Sequence, residues 1–436
     1  MARAFTNWAG TVRSTPARWA APASEAEVAD LVRRAARAGE RVCPVGSGHS
    51  WSPIAAPDEI ALSLRELDRV VAVSDDRVTV EAGCTLRALL DVLARHELAL
   101  PIVGSIDAQT IAGVTATATH GSSLVHGNLS AAVRGLRLVD GSGRLVELDE
   151  RDPRLAGARV HLGVLGVITQ VTLAVVPAFR LRETLTRAPF DEVAGDLEGI
   201  ARSAEYVKVW WLPGRPEAYV YRYERTDEPG EISDLSRTIE GAKLRWLFPL
   251  LLRAGGAAPA AIPWIHALVD ATSFPVGHRI GRSDRVLTVP AAPVHRETEM
   301  AIPLERGGEA LTWLRDWLVA HRARADFIFE ARFVPADVAW ASPAWGRDTC
   351  QLGVYGARSP DVDAIFDAFR ARAARAWDGR PHVGKEHADL DPLDRLPRLG
   401  DLLALSAEID PEARVGSPWS RALRARHAAR HPPATG

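Results

Sequence analysis

A glycine-containing turn near the start of the chain holds the first residues that could do chemistry. It follows the short apolar run 41–43, typical of the end of a strand, and consists of Val45, Gly46, Ser47, Gly48, His49 and Ser50. Two glycines two positions apart allow positive φ and a close approach of backbone to ligand. Successive N–H groups in such a turn form a concave anion site. The turn predicts a phosphate-binding loop with His49 at its mouth, although an ordinary strand-to-loop turn has the same pattern.

A second stretch, residues 104–123, is dominated by small and hydroxyl side chains. Such a composition cannot fill a hydrophobic core by itself. It suits a backbone that passes close to a flat ligand and offers N–H and O–H donors to it. The alternative is a small-residue helix packed tightly against a sheet, which explains the alanines but explains residues 119–123 less well.

A third pair of candidates, Glu330 and Arg332, lies in the strand-like run 329–333. Their spacing of two places both side chains on one face of a strand. A carboxylate beside a guanidinium on one face is usually a surface ion pair. The spacing alone therefore leaves the function of this pair open.

The elements that must position these residues follow from local patterns. A capping box at residues 24–27 opens a helix that Gly39 ends, and Thr85 caps a helix with its apolar face at residues 86, 89, 90 and 93. We expect strands at residues 60–64, 70–73, 78–82, 98–103, 136–139, 145–148 and 171–176. Residues 1–20 are expected to be irregular. After Pro177 the sequence pattern changes. We expect a second, α+β region there, in which strands such as 218–223 alternate with helices such as 310–320.

Composition narrows the class of protein. At 436 residues the chain predicts two or three domains, and a net charge of −2 gives no basic field for binding nucleic acid. The cysteines Cys43, Cys84 and Cys350 are scattered without a Cys-x-x-Cys motif, so no metal site or disulfide framework is predicted. Their odd number and the absence of a secretory signal pattern indicate a reducing, cytoplasmic location.

The most apolar region, residues 244–269, is interrupted by charged residues and prolines. A membrane-spanning helix needs about 20 predominantly apolar residues, so no spanning segment is predicted. We expect a buried or flexible connection there, with an amphipathic patch that touches a membrane surface as the alternative.

Together, the turn at 45–50 and the run from Gln109 to Gly121 resemble the sugar-lactone oxidases of the vanillyl-alcohol-oxidase flavoprotein superfamily, which include D-arabinono-1,4-lactone, L-gulono-1,4-lactone and alditol oxidases. The resemblance extends from Asn7 to about Pro411. It implies an α+β, two-domain fold with an FAD-binding domain at residues 12–178, a substrate-binding cap domain at 179–389, and a C-terminal segment at 390–436 that returns towards the FAD-binding domain and has a tail that frays.

The resemblance also implies roles for individual residues. His49 matches the histidine that is joined covalently to the flavin, and the turn would hold the pyrophosphate. Val167 and Ile168 would contact the adenine side. Pro381–Lys385 resembles a late motif of the family in which the lysine, here Lys385, contacts the substrate or flavin. The remaining residues implied to line the cofactor are Ser105, Gln109, Thr110, Gly113, Thr117, His120, Gly121 and His382.

By this resemblance, the protein oxidises a CH–OH group of a sugar lactone and passes the electrons to oxygen, giving hydrogen peroxide. Lys385 and Arg332 would stabilise the developing alkoxide, and Glu330 would hold the substrate hydroxyls or accept the proton. The partners expected are this small substrate and an electron acceptor; the oligomeric state is left open.

Two departures from the family pattern leave the substrate open. Val383 stands where the family usually has tryptophan, and strand 350–355 lacks the histidine and threonine that alditol oxidases place against the substrate. Tyr355 or Gln351 would serve instead. The alternatives are an alditol oxidase, a dehydrogenase of the same fold that uses another electron acceptor, and a flavin-binding protein without sugar oxidase activity.

Overall fold

The computed structural model describes residues 3–387 and 389–430. Its N-terminal part is built on two main sheets. A parallel three-stranded sheet has the order Arg18–Ala20, Ile60–Ser63, Val42–Val45. An antiparallel five-stranded sheet has the order Leu145–Asp149, Val133–Val139, Val167–Ala174, Arg77–Glu81, Val70–Val73. Two-stranded ribbons pair Phe5–Thr6 with Arg13–Ser14 and Leu98–Ala99 with Val176–Pro177.

The first two helices begin and end where the sequence predicts. Helix Glu25–Ala38 starts after Ser24, whose hydroxyl accepts the Glu27 N–H at 3.2 Å, and ends at Gly39 with φ of 72°. Thr85 caps helix Leu86–Arg95 by accepting the Ala88 N–H at 3.2 Å. Both helices bury the predicted apolar face in the core, because residues three and four apart lie on one side of a helix.

The larger part of the chain is organised on one antiparallel eight-stranded sheet. Its strands, in spatial order, are Gly277–Arg282, Arg180–Pro189, Glu217–Arg225, Tyr206–Trp211, Phe329–Val334, Thr349–Gly356, Arg296–Pro303 and Arg380–Pro381. The other α-helices are Ile111–Ala116, Leu155–Ala158, Phe190–Gly195, Leu197–Ala201, Asp234–Ala242, Phe248–Ala257, Ile262–Ser273, Ser283–Leu287, Gly307–His321, Val362–Ala376, Leu399–Ile409 and Pro418–Arg430.

The two faces of the eight-stranded sheet differ in chemistry because successive side chains on a strand point to opposite sides. One face carries apolar side chains such as Val209, Ala331 and Leu352, and it packs in a single cluster with helices Gly307–His321 and Val362–Ala376. The alternate positions carry polar side chains and line a cavity. The sheet therefore serves as a wall of the core on one side and as the floor of a polar site on the other.

The C-terminal segment packs back on the N-terminal part. The Val42 N–H donates to the Arg414 carbonyl at 2.8 Å, and the Gly416 N–H donates to the Val42 carbonyl at 2.9 Å. Ser406 donates from Oγ to the Val164 carbonyl at 2.6 Å. Leucines of helix Leu399–Ile409 are buried in the same cluster as the first helix. The N-terminal core is completed by residues from the far end of the chain.

Three local expectations about strands are wrong in part. The N-terminal residues contain three short strands rather than irregular chain alone, and the expected strand at 98–103 is limited to Leu98–Ala99. The strand expected at 171–176 begins earlier, at Val167. The small-residue stretch combines both interpretations, since Ile111–Ala116 is a buried helix and residues 117–128 are not regular structure. The C-terminal segment contains the expected helices, the last of them Pro418–Arg430, and the end of the tail expected to fray, residues 431–436, lies outside the described residues.

The apolar region 244–269 is largely helical and only partly buried, which differs from the expected buried or flexible connection. Trp246, Leu250, Trp264 and Leu268 are each more than half exposed on consecutive helices between residues 234 and 273. Periodicity cannot distinguish a buried apolar helix from one that presents part of its surface to solvent. Within residues 3–387 and 389–430, no helix is both long and apolar enough to cross a membrane.

Candidate functional site

The turn at residues 45–50 has the geometry of an anion-binding loop. Gly48 adopts φ of 71°, in the left-handed region that favours glycine. Among the described residues, none accepts a hydrogen bond from the backbone N–H groups of residues 47–50. His49 stacks on Trp8 with ring centroids 5.6 Å apart, and burial lowers its pKa, which favours the neutral imidazole.

The turn lies against the start of the small-residue helix. A Cβ on Gly46 would lie 2.5 Å from Oγ1 of Thr110, so no larger residue fits there without a shift of the helix start. A Cβ on Gly113 would lie 3.1 Å from the same hydroxyl oxygen. The glycines thus permit the turn and helix Ile111–Ala116 to form one continuous wall.

Two cavities meet at this wall. The first, of about 360 Å³, and the second, of about 640 Å³, share His49, Ser50, Gln109 and Thr117 in their linings. The first cavity is also lined by Val45, Gly46, Ser47, Gly48, Thr110, Gly113 and Ile168, and the second by Ser105, His120, Glu330, Arg332, His382 and Lys385. The structure therefore brings together nearly all of the residues predicted from the sequence along one elongated space.

Two predicted cofactor residues do not line either cavity. Val167 is fully buried in the core of the five-stranded sheet, because its neighbour Ile168 takes the cavity-facing position on the strand. Gly121 packs against Ile102 and Val103, where a Cβ would lie 2.6 Å from the Val103 carbonyl oxygen. Gly121 has a packing role next to the site.

Unpartnered polar atoms in the first cavity support a bound dinucleotide. Nδ1 of His161 accepts the Gly163 N–H at 3.2 Å, while Nε2 is buried without a partner among the described residues. Burial lowers the pKa of His161 to about 4, so the ring is neutral and its proton lies on Nε2 as an unused donor. Oγ of Ser52 is likewise buried without a partner beside this cavity. These donors, together with the free N–H groups of the turn, fit a ligand with a nucleotide and a pyrophosphate.

The floor of the second cavity contains the predicted carboxylate–guanidinium pair. Oε2 of Glu330 lies 2.8 Å from Nη2 of Arg332 and accepts the Tyr355 hydroxyl at 2.7 Å, and Oε1 accepts the indole N–H of Trp210 at 2.6 Å. Burial opposes ionisation of Glu330, but the charges of Arg332 and Lys208 and the hydrogen bonds from Arg332 and Trp210 together outweigh it and lower the carboxyl pKa to about 2. Arg332 also donates to Oγ of Ser105 at 2.8 Å. The pair is thus buried and fixed in position.

Lys385 enters the same cavity from the opposite wall. Its Nζ lies 2.5 Å from Oε2 of Glu297 and 4.7 Å from the ring centroid of Trp51. The backbone N–H of Trp51 donates to the Gly384 carbonyl at 2.8 Å. This hydrogen bond joins the late motif, residues 381–385, to the residue that follows the glycine turn. Oε1 of Glu297 is buried without a partner among the described residues. Lys385 therefore presents a positioned cation beside the junction of the two cavities.

Two histidines and a glutamate lie between the cavities' shared wall and the sheet. Nε2 of His120 bonds Oε1 of Glu299 at 2.7 Å, and the His120 and His382 rings are 5.6 Å apart at their centroids. Ligand atoms of the three residues lie within 4.8 Å of one another, so they could approach one metal ion. Nδ1 of His382 already accepts the Gly384 N–H at 3.1 Å, and burial lowers the pKa of His382 to about 3. The cluster is organised by its own hydrogen bonds, and both histidines line the second cavity.

The two departures from the family pattern have structural counterparts. Val383 is 1% exposed and lies in the hydrophobic core, whereas its neighbours His382 and Gly384 line the cavity. At Gly353 a Cβ would lie 2.9 Å from the ring of Tyr355, so this ring occupies the space that a side chain at 353 would take. Of the two substitutes considered, Tyr355 lines the cavity, while Gln351 is outside its lining and donates to Oγ1 of Thr349 at 3.1 Å.

Several residues of the site are missed by the sequence interpretation: Ser52, His161, Lys208, Trp210, Glu297 and Glu299. Glu297 and Glu299 have the same spacing of two as Glu330 and Arg332, and this signal could have found them. Trp210 faces Glu330 across neighbouring strands although the two residues are 120 positions apart. No local pattern reveals that pairing.

Residues 171–423 match a family model described as D-arabinono-1,4-lactone oxidase, and residues 16–149 match one described as an FAD binding domain. L-gulono-1,4-lactone dehydrogenase of Mycobacterium tuberculosis is 34% identical over 422 residues, covering 94% of this chain and 97% of that protein. Alditol oxidase of a Streptomyces species is 31% identical over 438 residues, covering 97% and 99%.

Among solved structures, a cholesterol oxidase from B. sterolicum superimposes with a TM-score of 0.80 at 17% identity, covering 96% of each chain. This likeness concerns the fold, and it confirms the predicted two-part α+β architecture of the vanillyl-alcohol-oxidase type.

Proposed function

Because the chain belongs to the D-arabinono-1,4-lactone oxidase family and is an FAD-dependent oxidoreductase, we propose that it oxidises a CH–OH group of a sugar 1,4-lactone with oxygen as acceptor. One observation carries the proposal. The buried Glu330–Arg332 pair and Lys385 line a cavity that shares His49 with the cavity lined by the glycine turn. Hydrogen peroxide is the second product of such a reaction.

We assign the cofactor along that space by the chemistry of the residues. The N–H groups of residues 47–50 hold the pyrophosphate, and Ile168 and the free Nε2–H of His161 lie at the adenine end. Ser105, Gln109, Thr117, His120 and His382 line the isoalloxazine end. His49 lies at the junction, stacked on Trp8. Burial lowers its pKa and so favours the neutral imidazole, the form that could bond covalently to the flavin.

Bound FAD supplies the acceptor for the two electrons of the C–H bond. The chain positions the substrate for that transfer. Glu330, whose pKa is about 2, stays ionised at neutral pH and acts as an acceptor that orients the substrate hydroxyls, which disfavours the role of proton acceptor considered for it. Lys385 and Arg332 place positive charge where the substrate oxygen becomes negative. Tyr355 fixes the carboxylate of Glu330 from the far side.

The proposal includes the division of the chain. Residues 12–178 form the FAD-binding domain, residues 179–389 the cap domain, and residues 390–436 the returning segment. It also places the protein in the cytoplasm, supported by three buried, unpaired cysteines.

The first test asks whether flavin stays on the polypeptide after denaturation in acid. Retained yellow fluorescence that is lost in His49→Ala supports both FAD and its covalent attachment. A purified protein with no flavin, bound or releasable, would refute the assignment of the cofactor.

The second test screens sugar lactones and alditols of matched chain length for peroxide formation in air. Peroxide with lactones supports the proposal. Turnover with alditols alone would favour the activity named for the Streptomyces relative, and turnover only with an added dye under air would favour a dehydrogenase, as named for the mycobacterial relative. No turnover with any of these compounds and acceptors would contradict sugar oxidation.

A further inference from the structure

Lys208 is a cation on the floor of the second cavity that the mechanism above does not use. It lies on strand Tyr206–Trp211, and its Nζ sits over three aromatic rings, with the centroids of Trp210, Tyr221 and Tyr223 at 4.3, 4.7 and 5.8 Å. No carboxylate among the described residues forms an ion pair with it, and no described group accepts a hydrogen bond from it. Contact with ring faces stabilises a cation only partly.

The other charges on the cavity floor are matched in pairs. Separations of 2.8 Å and 2.7 Å join Glu330 to Arg332 and Glu183 to Arg279, so neither carboxylate is left for Lys208. The remaining carboxylates on the floor are bonded elsewhere, Glu297 to Lys385 and Glu299 to His120. Arg279 also lies 3.8 Å from Glu240 on the outer wall. Lys208 is therefore the cation on the floor that has no carboxylate within ion-pair distance among the described residues. Buried charges are normally paired, and an unpaired one is costly.

The position of Lys208 relative to the reacting groups follows from strand register. Lys208 is directly opposite Arg332 on the neighbouring strand, and Tyr221 is directly opposite Lys208 on the other side. The strand that carries Glu297, the partner of Lys385, lies three strand spacings from Lys208, roughly 14 Å. Lys208 and Lys385 thus flank the Glu330–Arg332 pair from opposite sides, so a substrate held at the pair has one end towards each lysine.

We propose that Lys208 and the rings beneath it form a distal subsite that binds the carboxylate of an open-chain sugar acid, so that the cavity accepts aldonates in addition to neutral substrates. The inference rests on the proposed sugar oxidation in the same cavity. A carboxylate monoanion supplies the one ion-pair partner that the charge of Lys208 lacks. A neutral hydroxyl leaves that charge uncompensated, and a phosphate dianion overcompensates it beside Glu330 and Glu183.

The charge of Lys208 depends on pH near the physiological range. Burial lowers its pKa to about 8, while Glu330 and Glu183 raise it and Arg332 and Arg279 lower it. Tyr221 and Tyr223 have pKa values raised well above the ordinary value and stay neutral there. From the outer wall, Glu240 and Lys243 also line the cavity. Aldonate affinity should therefore fall above about pH 8, by about tenfold for each unit.

The test measures binding to the holoenzyme by titration calorimetry, with an aldonate made by opening its 1,4-lactone and the alditol of the same chain length. We expect the wild type to bind the aldonate about tenfold or more tightly than the alditol. Lys208→Met should abolish this preference with little change for the alditol. Lys208→Arg should retain it and lose the decline above pH 8. Lys243→Met, the same change at an exposed lysine of the cavity, should alter neither affinity.

Equal affinities for the two ligands in the wild type, or a preference that survives in Lys208→Met, would overturn the subsite. Lys208→Gln replaces the methionine variant if the latter does not fold. Peroxide and dye assays with lactones on the same preparations separate the two proposals. Lactone turnover without aldonate preference refutes only the subsite, whereas Lys208-dependent aldonate binding without turnover of any sugar refutes only the oxidation.

Discussion

Replacing Lys385 with methionine separates the structural from the chemical role of the ion pair in the active site. The side chain of Glu297 is 2% exposed and that of Lys385 is 19% exposed. Removing one partner of a fully buried pair costs about 3–5 kcal/mol, because the remaining charge is left uncompensated. Since Lys385 keeps some contact with solvent, we expect the variant to lose about 2–3 kcal/mol of stability.

The expected effect on catalysis is larger than the effect on stability. Loss of one preorganised donor to a developing oxyanion lowers kcat by roughly 10²–10³-fold. Flavin content should stay near that of the wild type, because the turn and the first cavity do not include Lys385. The assays are thermal unfolding, the ratio of flavin to protein absorbance, and steady-state turnover.

A double variant makes the reasoning testable in two directions. Glu297→Gln combined with Lys385→Met removes both charges, so thermal stability should recover while turnover remains low. Turnover of Lys385→Met within roughly tenfold of the wild type would refute the role of Lys385 in stabilising the substrate oxygen. A double variant no more stable than Lys385→Met would refute the account of the uncompensated Glu297.

Three further predictions concern other parts of the site. Tyr355→Phe removes the 2.7 Å hydrogen bond from the tyrosine hydroxyl to Glu330. Since hydrogen bonds to charged groups contribute about 1.5–3 kcal/mol, kcat/KM should fall roughly 10–100-fold. An unchanged kcat/KM would contradict the role of Tyr355. Gly46→Val introduces a side chain at a position where even a Cβ would lie 2.5 Å from Oγ1 of Thr110. The purified variant should therefore contain less FAD, with an unchanged circular dichroism spectrum. An FAD content equal to that of the wild type would contradict the turn as the cofactor site. Burial lowers the pKa of His382 from 6.5 to about 3. Between these pH values the unfolded state therefore binds the proton more readily than the folded state does, so the stability of the fold decreases as the pH falls from about 6.5 towards 3. His382→Asn should flatten that part of a plot of melting temperature against pH, and an unaltered slope would show that another group causes it.

Local signals in the sequence were sufficient for much of the fold. Helices begin after Ser24 and Thr85, and the first of them ends at Gly39, as the sequence predicts. These ends are predictable because each cap satisfies backbone groups within a few residues of itself. The strand expected at 98–103 ends at Ala99 because its pairing partner, Val176–Pro177, is only two residues long. The exposure of apolar side chains on the helices at 244–269 was not predicted, because an apolar pattern does not show which surface of a helix faces solvent.

The candidate site was predictable where a residue type and spacing carry their own chemistry. The glycine turn, Glu330 with Arg332, and Lys385 are of this kind, and all of them line the two cavities. The other members depend on the order of strands in the eight-stranded sheet. Trp210 and Lys208 face the pair only because strand Tyr206–Trp211 lies beside Phe329–Val334. Strand order results from long-range packing and leaves no local pattern.

The return of the C-terminal segment to the N-terminal part has a consequence for biosynthesis. Val415 lies beside Val42 in a parallel bridge, so about 370 residues must be made between the two partners. At roughly 5–20 residues per second, the ribosome needs about 20–70 seconds for that length. During this interval the first helix and the three-stranded sheet lack the leucines that complete their core. The nucleotide-binding part, although translated first, reaches its final packing only after residues 399–416 have been translated.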